Sequence, residues 1–264
     1  METLFDVSDP GTSRPPGRLA ERYGGGLSFT APCLYANFVS TLDGVTALEP
    51  AKDSSAIIAA KSAADRFVMG LLRALSDAVL IGAGTLRPTP GALWTPEFIF
   101  PSLAPAYAEL RTRLGYPLAP KLIVVSATGA LEPTHPAFQA GALVLTTTHG
   151  AARLEGQLPD ASRVLVLGER PRLTGRAIME TLYAKGYGVI LTEGGPQFLA
   201  DLLAENLLDE LFLTVSPVLA GRIEGQSRPG LIQGLEFPPS NLPAATLLSV
   251  RQHDSHLFLR YRFP

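Results

Sequence analysis

The chain has 264 residues, 46% hydrophobic and 17% charged, enough apolar side chain for the core of one large α/β domain. Its net charge is −2 and its basic residues are scattered, so nucleic acid is not an expected partner. A single cysteine, Cys33, excludes an intrachain disulfide framework and a Cys-rich zinc site. The four histidines, His135, His149, His253 and His256, show no metal-ligand spacing.

The N-terminus lacks a basic start followed by an apolar stretch, and no apolar run reaches the roughly 18–20 residues that span a bilayer. A soluble cytoplasmic protein is expected. Residues 1–30 are rich in Pro and Gly and read as an arm laid over the body or loosely ordered. Residues 31–264 then form the working domain. Leu34 to Val39 mixes small and apolar residues, as a strand covered on both faces does. Cys33 before it reads as a buried structural thiol rather than a nucleophile. Asp43-Gly44 marks a turn, where Asp43 either faces a ligand or accepts backbone hydrogen bonds in its own turn.

Residues 47–62 read as a polar connection. SAADRFVMGLLRALS, 62–76, predicts a helix capped by Ser62, with Asp65 in its first turn and an apolar stripe of Phe67, Leu71, Leu72 and Leu75. Arg73 near its end reads equally as a solvated charge or a ligand contact. Ala78 to Ile81 is a short strand ending in Gly82-Ala83-Gly84-Thr85, small residues that leave room for a ligand beyond a strand's carboxyl end. Residues 88–119 form a Pro-rich loop with one short helix, 106–114, and Trp94 as a hydrophobic anchor. Three aliphatic strands follow at 121–126, 142–148 and 163–168. Residues 173–188 predict a helix capped by Thr174 and ended by Gly186.

The stretch that organises the rest is VILTEGGPQFLADLL, 189–203. It reads as strand, Gly-Gly turn and helix, with Pro196 at the first helical position. Glycines let a ligand approach the backbone, and free N–H groups at a helix start attract a phosphate. A dinucleotide pyrophosphate is expected on this turn, although a tight turn that binds nothing explains the spacing as well. Residues 209–221 are another strand, with alternation at Leu211, Leu213 and Val215, and 222–242 a loop. The chain closes as a hairpin through HDS, 253–255, which puts antiparallel strands at one edge of a mainly parallel sheet.

Four segments in this order, NFVSTLDG at 37–44, LLRALSDAVLIGAGT at 71–85, 189–203 and LLDELFLTVSPVLAG at 207–221, resemble the pyrimidine reductase family of riboflavin biosynthesis. The resemblance implies a dihydrofolate-reductase-like fold: a mixed, mainly parallel sheet flanked by helices, with a C-terminal antiparallel hairpin. It implies NADPH as reductant and hydride transfer to C1′ of a ribosylamino-pyrimidine 5′-phosphate. It also implies a homodimer, with the C-terminal strands as a contact. Carried over by position, Val39, Thr85 and Ser126 match cofactor contacts, and Gly194, Gly195, Pro196 and Gln197 match the pyrophosphate turn. Glu193 matches a substrate contact that orients the amine or relays a proton, and Arg73 a contact to the substrate phosphate.

Two departures bear on substrate and organisation. The family often carries DDPxLxxR after the Gly-Thr segment; here Thr89 and Pro90 replace the acids, and Pro96 stands near the arginine position. Many relatives also carry an N-terminal zinc deaminase domain, for which residues 1–30 are too short, so a stand-alone reductase module is expected. Two other readings stay open: a dihydrofolate or other pterin reductase of the same fold, and a nucleotide-binding module without catalysis.

Overall fold

Aliphatic runs without strict alternation require cover on both faces of a sheet, and that is what the chain builds. The computed structural model describes residues 1–8, 15, 17–48, 54–223 and 228–264. Strand β1 (Glu2–Asp6) and helix α1 (Gly17–Tyr23) precede β2 (Cys33–Ser40), α2 (Ser54–Ile58) and α3 (Ala63–Leu75). Next come β3 (Ala78–Gly82), α4 (Ala83–Leu86), α5 (Pro96–Ile99), α6 (Ala104–Arg113) and β4 (Lys121–Val125). Then follow α7 (Pro136–Gln139), β5 (Ala142–Thr146), α8 (Thr148–Leu154), β6 (Arg163–Val166) and α9 (Gly175–Ala184). The last elements are β7 (Val189–Thr192), α10 (Pro196–Ala204), β8 (Glu210–Val215), β9 (Thr246–His253) and β10 (His256–Arg262).

The strands form one ten-stranded sheet in the order β1-β9-β10-β8-β2-β7-β3-β4-β5-β6. From β8 to β6 every pairing is parallel, while β10, β9 and β1 add antiparallel strands at one edge. This is the mixed, mainly parallel architecture that the resemblance implied, with the expected hairpin turning at Asp254-Ser255. One face packs α3, α6 and α1 on Tyr35, Val79, Val124, Leu191 and Phe212. The other packs α9 and α10 on Leu34, Leu80, Ile123 and Ile190. No helix of the described residues is long and apolar enough to cross a membrane.

Several segments differ from the sequence reading. The arm expected at 1–30 supplies an edge strand and a helix that buries Leu19 and Tyr23 in the core. The connection expected at 47–62 contains α2, with 49–53 outside the described residues. The small residues after β3 coil directly into α4 rather than forming a loop. On β8 the expected alternation fails, because Phe212 and Thr214 are as buried as Leu211: helices cover one face and the loop and helices of the other cluster cover the second.

Candidate active site

The turn between β7 and α10 is held from below. Thr192 donates its hydroxyl to the Leu80 carbonyl (3.2 Å) and accepts the Gly194 N–H on the same oxygen (3.2 Å). Gly195 caps α10 through backbone alone, at φ −71° and ψ 173°. Pro196 has no N–H to lose, and the amides of Gln197 and Phe198 fall in the first turn, where no intrahelical acceptor exists.

The two glycines are required for different reasons. Neither lies in the left-handed region of φ. A Cβ on Gly195 would meet nothing within 4 Å, so its missing side chain leaves the helix start open to a ligand. A Cβ on Gly194 would meet Phe198 Cδ1 at 2.6 Å, so Gly194 is dictated by packing. A larger residue at position 194 would therefore disturb packing, whereas one at position 195 would enter open space.

The other expected site residues gather at the same edge. β2, β7, β3 and β4 are neighbours and parallel, so their carboxyl ends share one side of the sheet. Val39 lies near the end of β2, Glu193 directly after β7, Thr85 in α4 after β3, and Ser126 directly after β4. Thr85 Oγ1 points to the Glu193 carbonyl at 3.5 Å. Ser126 is tied to β5: its N–H donates to Leu145 (3.0 Å) and its carbonyl accepts from Thr146 Oγ1 (2.6 Å). Gln197 is exposed, with its side chain near Gly234 of the loop after β8.

Arg73 is not a solvated charge. Its side chain and that of Glu193 are 5% and 8% exposed, and they pair at two points, Nε to Oε1 (2.9 Å) and Nη2 to Oε2 (2.7 Å). Nη1 faces the carbonyls of Leu93 and Thr95, both at 3.4 Å. Arg73 thus fixes the Glu193 carboxylate and ties the Pro-rich loop to the site. The phosphate contact implied for Arg73 would require this pair to open.

Loops after β2 and β8 close the edge. The Asp43 carboxylate accepts from the Thr41 hydroxyl (2.6 Å) and from the amides of Ala220 (3.1 Å) and Gly221 (2.7 Å). These donors, the Thr41 hydroxyl foremost, hold its pKa down to about 2. Asp43 therefore binds its own turn and the neighbouring loop. Thr89, standing where the family carries an acid, donates back to the Thr85 carbonyl (2.9 Å). The Thr89 carbonyl accepts from His135 Nε2 (2.9 Å), and the His135 ring lies beside buried Trp94, the anchor expected of it. Cys33 is buried, and desolvation raises its thiol pKa, in keeping with a structural role.

Sequence reasoning passed over Asp65. Placed in the first turn of α3, it was read as a charge that complements the helix dipole. It is only 5% exposed, with the Thr214 hydroxyl of β8 beside its carboxyl. Burial raises its pKa to about 6; Thr214, His256 and Arg66 favour the charged form, while Glu193 opposes it. An acid in a first turn is ordinary, and nothing local in the sequence marks this one as buried.

Residues 32–259 match the RibD C-terminal domain family. The 2,5-diamino-6-ribosylamino-4(3H)-pyrimidinone 5′-phosphate reductase of Archaeoglobus fulgidus is 26% identical over 211 residues, 78% of this chain and 88% of that protein. Among solved structures, a pyrimidine reductase-like protein of Corynebacterium diphtheriae superposes with a TM-score of 0.64 at 22% identity, over 88% of this chain and 92% of that one. RibD of Acinetobacter baumannii gives 0.64 at 21% identity, over 89% of this chain but 58% of its own.

Proposed function

This chain belongs to the RibD C-terminal domain family, and from that premise we propose that it is an NADPH-dependent oxidoreductase that converts a ribosylamino-pyrimidine 5′-phosphate to its ribitylamino form. The name of the Archaeoglobus fulgidus relative supports the substrate class. The observation that carries the reading is the open start of α10 at Gly195, beside four parallel strand ends that present Val39, Glu193, Thr85 and Ser126.

These residues fit a dinucleotide. The Gly195, Gln197 and Phe198 amides offer donors to a pyrophosphate at the positive end of a nine-residue helix. Val39, Thr85 and Ser126 line the path to it along the sheet edge. NADPH, when bound, supplies a hydride that C1′ of the ribosylamine accepts. At C1′ a C–H bond forms, the bond to the ring oxygen breaks, and that oxygen takes up a proton. Glu193, locked by Arg73, presents a fixed carboxylate on the substrate side, where it orients the amine. A cytoplasmic homodimer that meets through β9 and β10 completes the reading.

Purified protein tests it. Consumption of NADPH with a ribosylamino-pyrimidine 5′-phosphate, and none with dihydrofolate, is expected. NADPH binding without oxidation by either compound would instead mark a module without catalysis.

A further inference from the structure

The end of α3 that carries Arg73 lies in the core, and Ser76 just after it is fully buried. The last carbonyls of a helix have no partner within it, and leaving them bare in a core is costly. Here two distant elements supply the donors. Tyr35 Oη of β2 donates to the Leu72 carbonyl (2.6 Å). Arg111 Nη1 of α6 donates to the carbonyls of Arg73 (3.1 Å), Ala74 (3.1 Å) and Ser76 (2.6 Å). Its Nε donates to the Pro117 carbonyl (2.6 Å).

Arg111 is itself fully buried, and no carboxylate among the described residues hydrogen-bonds it. Burial lowers its pKa to about 10, which leaves it charged at neutral pH. A glycine cap closes a helix end without burying a charge. What the guanidinium adds is a rigid fork on the negative end of α3, anchored in another helix.

The same stretch, 93–117, grips α3 at other points. Tyr107 donates its hydroxyl to the Phe67 carbonyl (3.3 Å), and a Cβ on Gly70 would meet that hydroxyl at 2.5 Å. Glycine is unfavourable inside a helix, and here it admits α6. The carbonyls of Leu93 and Thr95 face Arg73 Nη1. Arg73 is therefore held by side chain and backbone from one stretch of chain. Asp77, the second residue past α3, accepts from the amides of Gly188 (2.6 Å) and Val189 (3.1 Å), where β7 begins. Both halves of the Arg73–Glu193 pair thus lead back to the helix end that Arg111 holds.

We propose that Arg111 is a positioning residue for hydride transfer: by fixing the last turn of α3 it aims the Arg73 guanidinium, and through it the Glu193 carboxylate. This rests on the reductase reading above. A two-point pair tolerates little displacement of either backbone, so loosening that turn misplaces the carboxylate against the substrate.

The test uses the full chain at a temperature well below its Tm. Arg111→Lys keeps the charge but cannot span the three carbonyls. It is expected to lower kcat about 10-fold, with KM and the Kd for NADPH unchanged. Arg111→Met should lower kcat further; if it fails to fold, Arg111→Lys alone decides. Because Arg111 acts through Arg73, adding Arg111→Lys to Arg73→Lys should cost about 2-fold or less. Asp6→Asn, remote from this turn, is expected to lower stability and leave kcat alone. A wild-type kcat in Arg111→Lys, its full loss repeated in the Arg73→Lys background, or a loss confined to the Kd for NADPH overturns the proposal.

A second readout needs no turnover. The Arg73 Nε–H signal of 15N-labelled protein, identified by its absence in Arg73→Lys, reports the bond to Glu193. Arg111→Lys should speed its hydrogen exchange by about 10-fold or more. Exchange as slow as in the wild type shows that the pair has not moved, and the proposal falls. If the wild type reduces no pyrimidine phosphate while this exchange still quickens, the link from Arg111 to the pair stands and the reductase reading falls. If neither is seen, both fall.

Discussion

Arg73 and Glu193, 120 residues apart in sequence, meet through two hydrogen bonds of 2.9 and 2.7 Å that join α3 to the end of β7. The pair sets where the carboxylate points and, through the carbonyls of Leu93 and Thr95, where the Pro-rich loop sits.

Breaking one side of a buried pair leaves the other charge without compensation, which costs about 3–5 kcal/mol. Glu193→Gln and Arg73→Met are each expected to lower stability by about 3 kcal/mol in urea unfolding, with the double variant losing less than their sum. Arg73→Lys keeps the charge but not the two-point grip. It should lower kcat while leaving the Kd for NADPH unchanged. A Kd that weakens along with kcat would place Arg73 at the cofactor instead.

Gly195 and Gly194 separate binding from packing. Gly195→Val should weaken NADPH binding at least 10-fold in a fluorescence titration, with little change in Tm, since its Cβ enters open space. Gly194→Val should lower Tm first, because Phe198 must move. If Gly195→Val binds NADPH as the wild type does, the pyrophosphate does not sit on this turn.

Asp65 makes stability depend on pH. Its folded pKa, about 6, lies above the ordinary 3.8 because burial disfavours its charge; Thr214 of β8, His256 of β10 and Arg66 of α3 offset only part of this, and Glu193 adds to it. The folded state thus holds the proton more tightly than the unfolded chain, so stability falls as pH rises from about 4 to 6 and stays lower above that. Removing the charge with Asp65→Asn should stabilise the ligand-free protein at pH 8 by up to about 3 kcal/mol, and hardly at all at pH 4. A variant less stable than wild type at pH 8 would show that Asp65 serves the fold.

What was legible in the sequence is what local punctuation dictates. Gly194-Gly195-Pro196 after an aliphatic run announces strand, turn and helix, and the β-branched runs at 121–125 and 142–146 announce strands. Long-range partners were not legible. Arg73 and Asp65 each look like an ordinary helix charge until Glu193, Thr214 and His256 arrive from distant strands. The Pro/Gly composition of residues 1–30 hid β1 and α1, the first made of residues that stay exposed and the second burying only Leu19 and Tyr23.

The N-terminal strand carries one such partner. Asp6 reaches Arg251 Nη2 at 2.6 Å; Arg251 is 1% exposed, stacks over Tyr23, and also donates to Ser249 (2.7 Å). Asp6→Asn should cost about 1–3 kcal/mol in urea unfolding, below the range for a fully buried pair because the Asp6 side chain is 25% exposed. No loss of stability would mean that β1 is not fastened through this contact.

The most direct measurement follows the hydride itself. The protein is incubated with NADPH deuterated at the transferable position of the nicotinamide, together with the ribosylamino-pyrimidine 5′-phosphate, and the product is analysed by mass spectrometry. One deuterium on C1′ of a ribityl product, delivered by the wild type and strongly reduced in Gly195→Val, is the predicted result. Oxidised cofactor with no label on C1′, or a labelled product at undiminished rate from Gly195→Val, would contradict it.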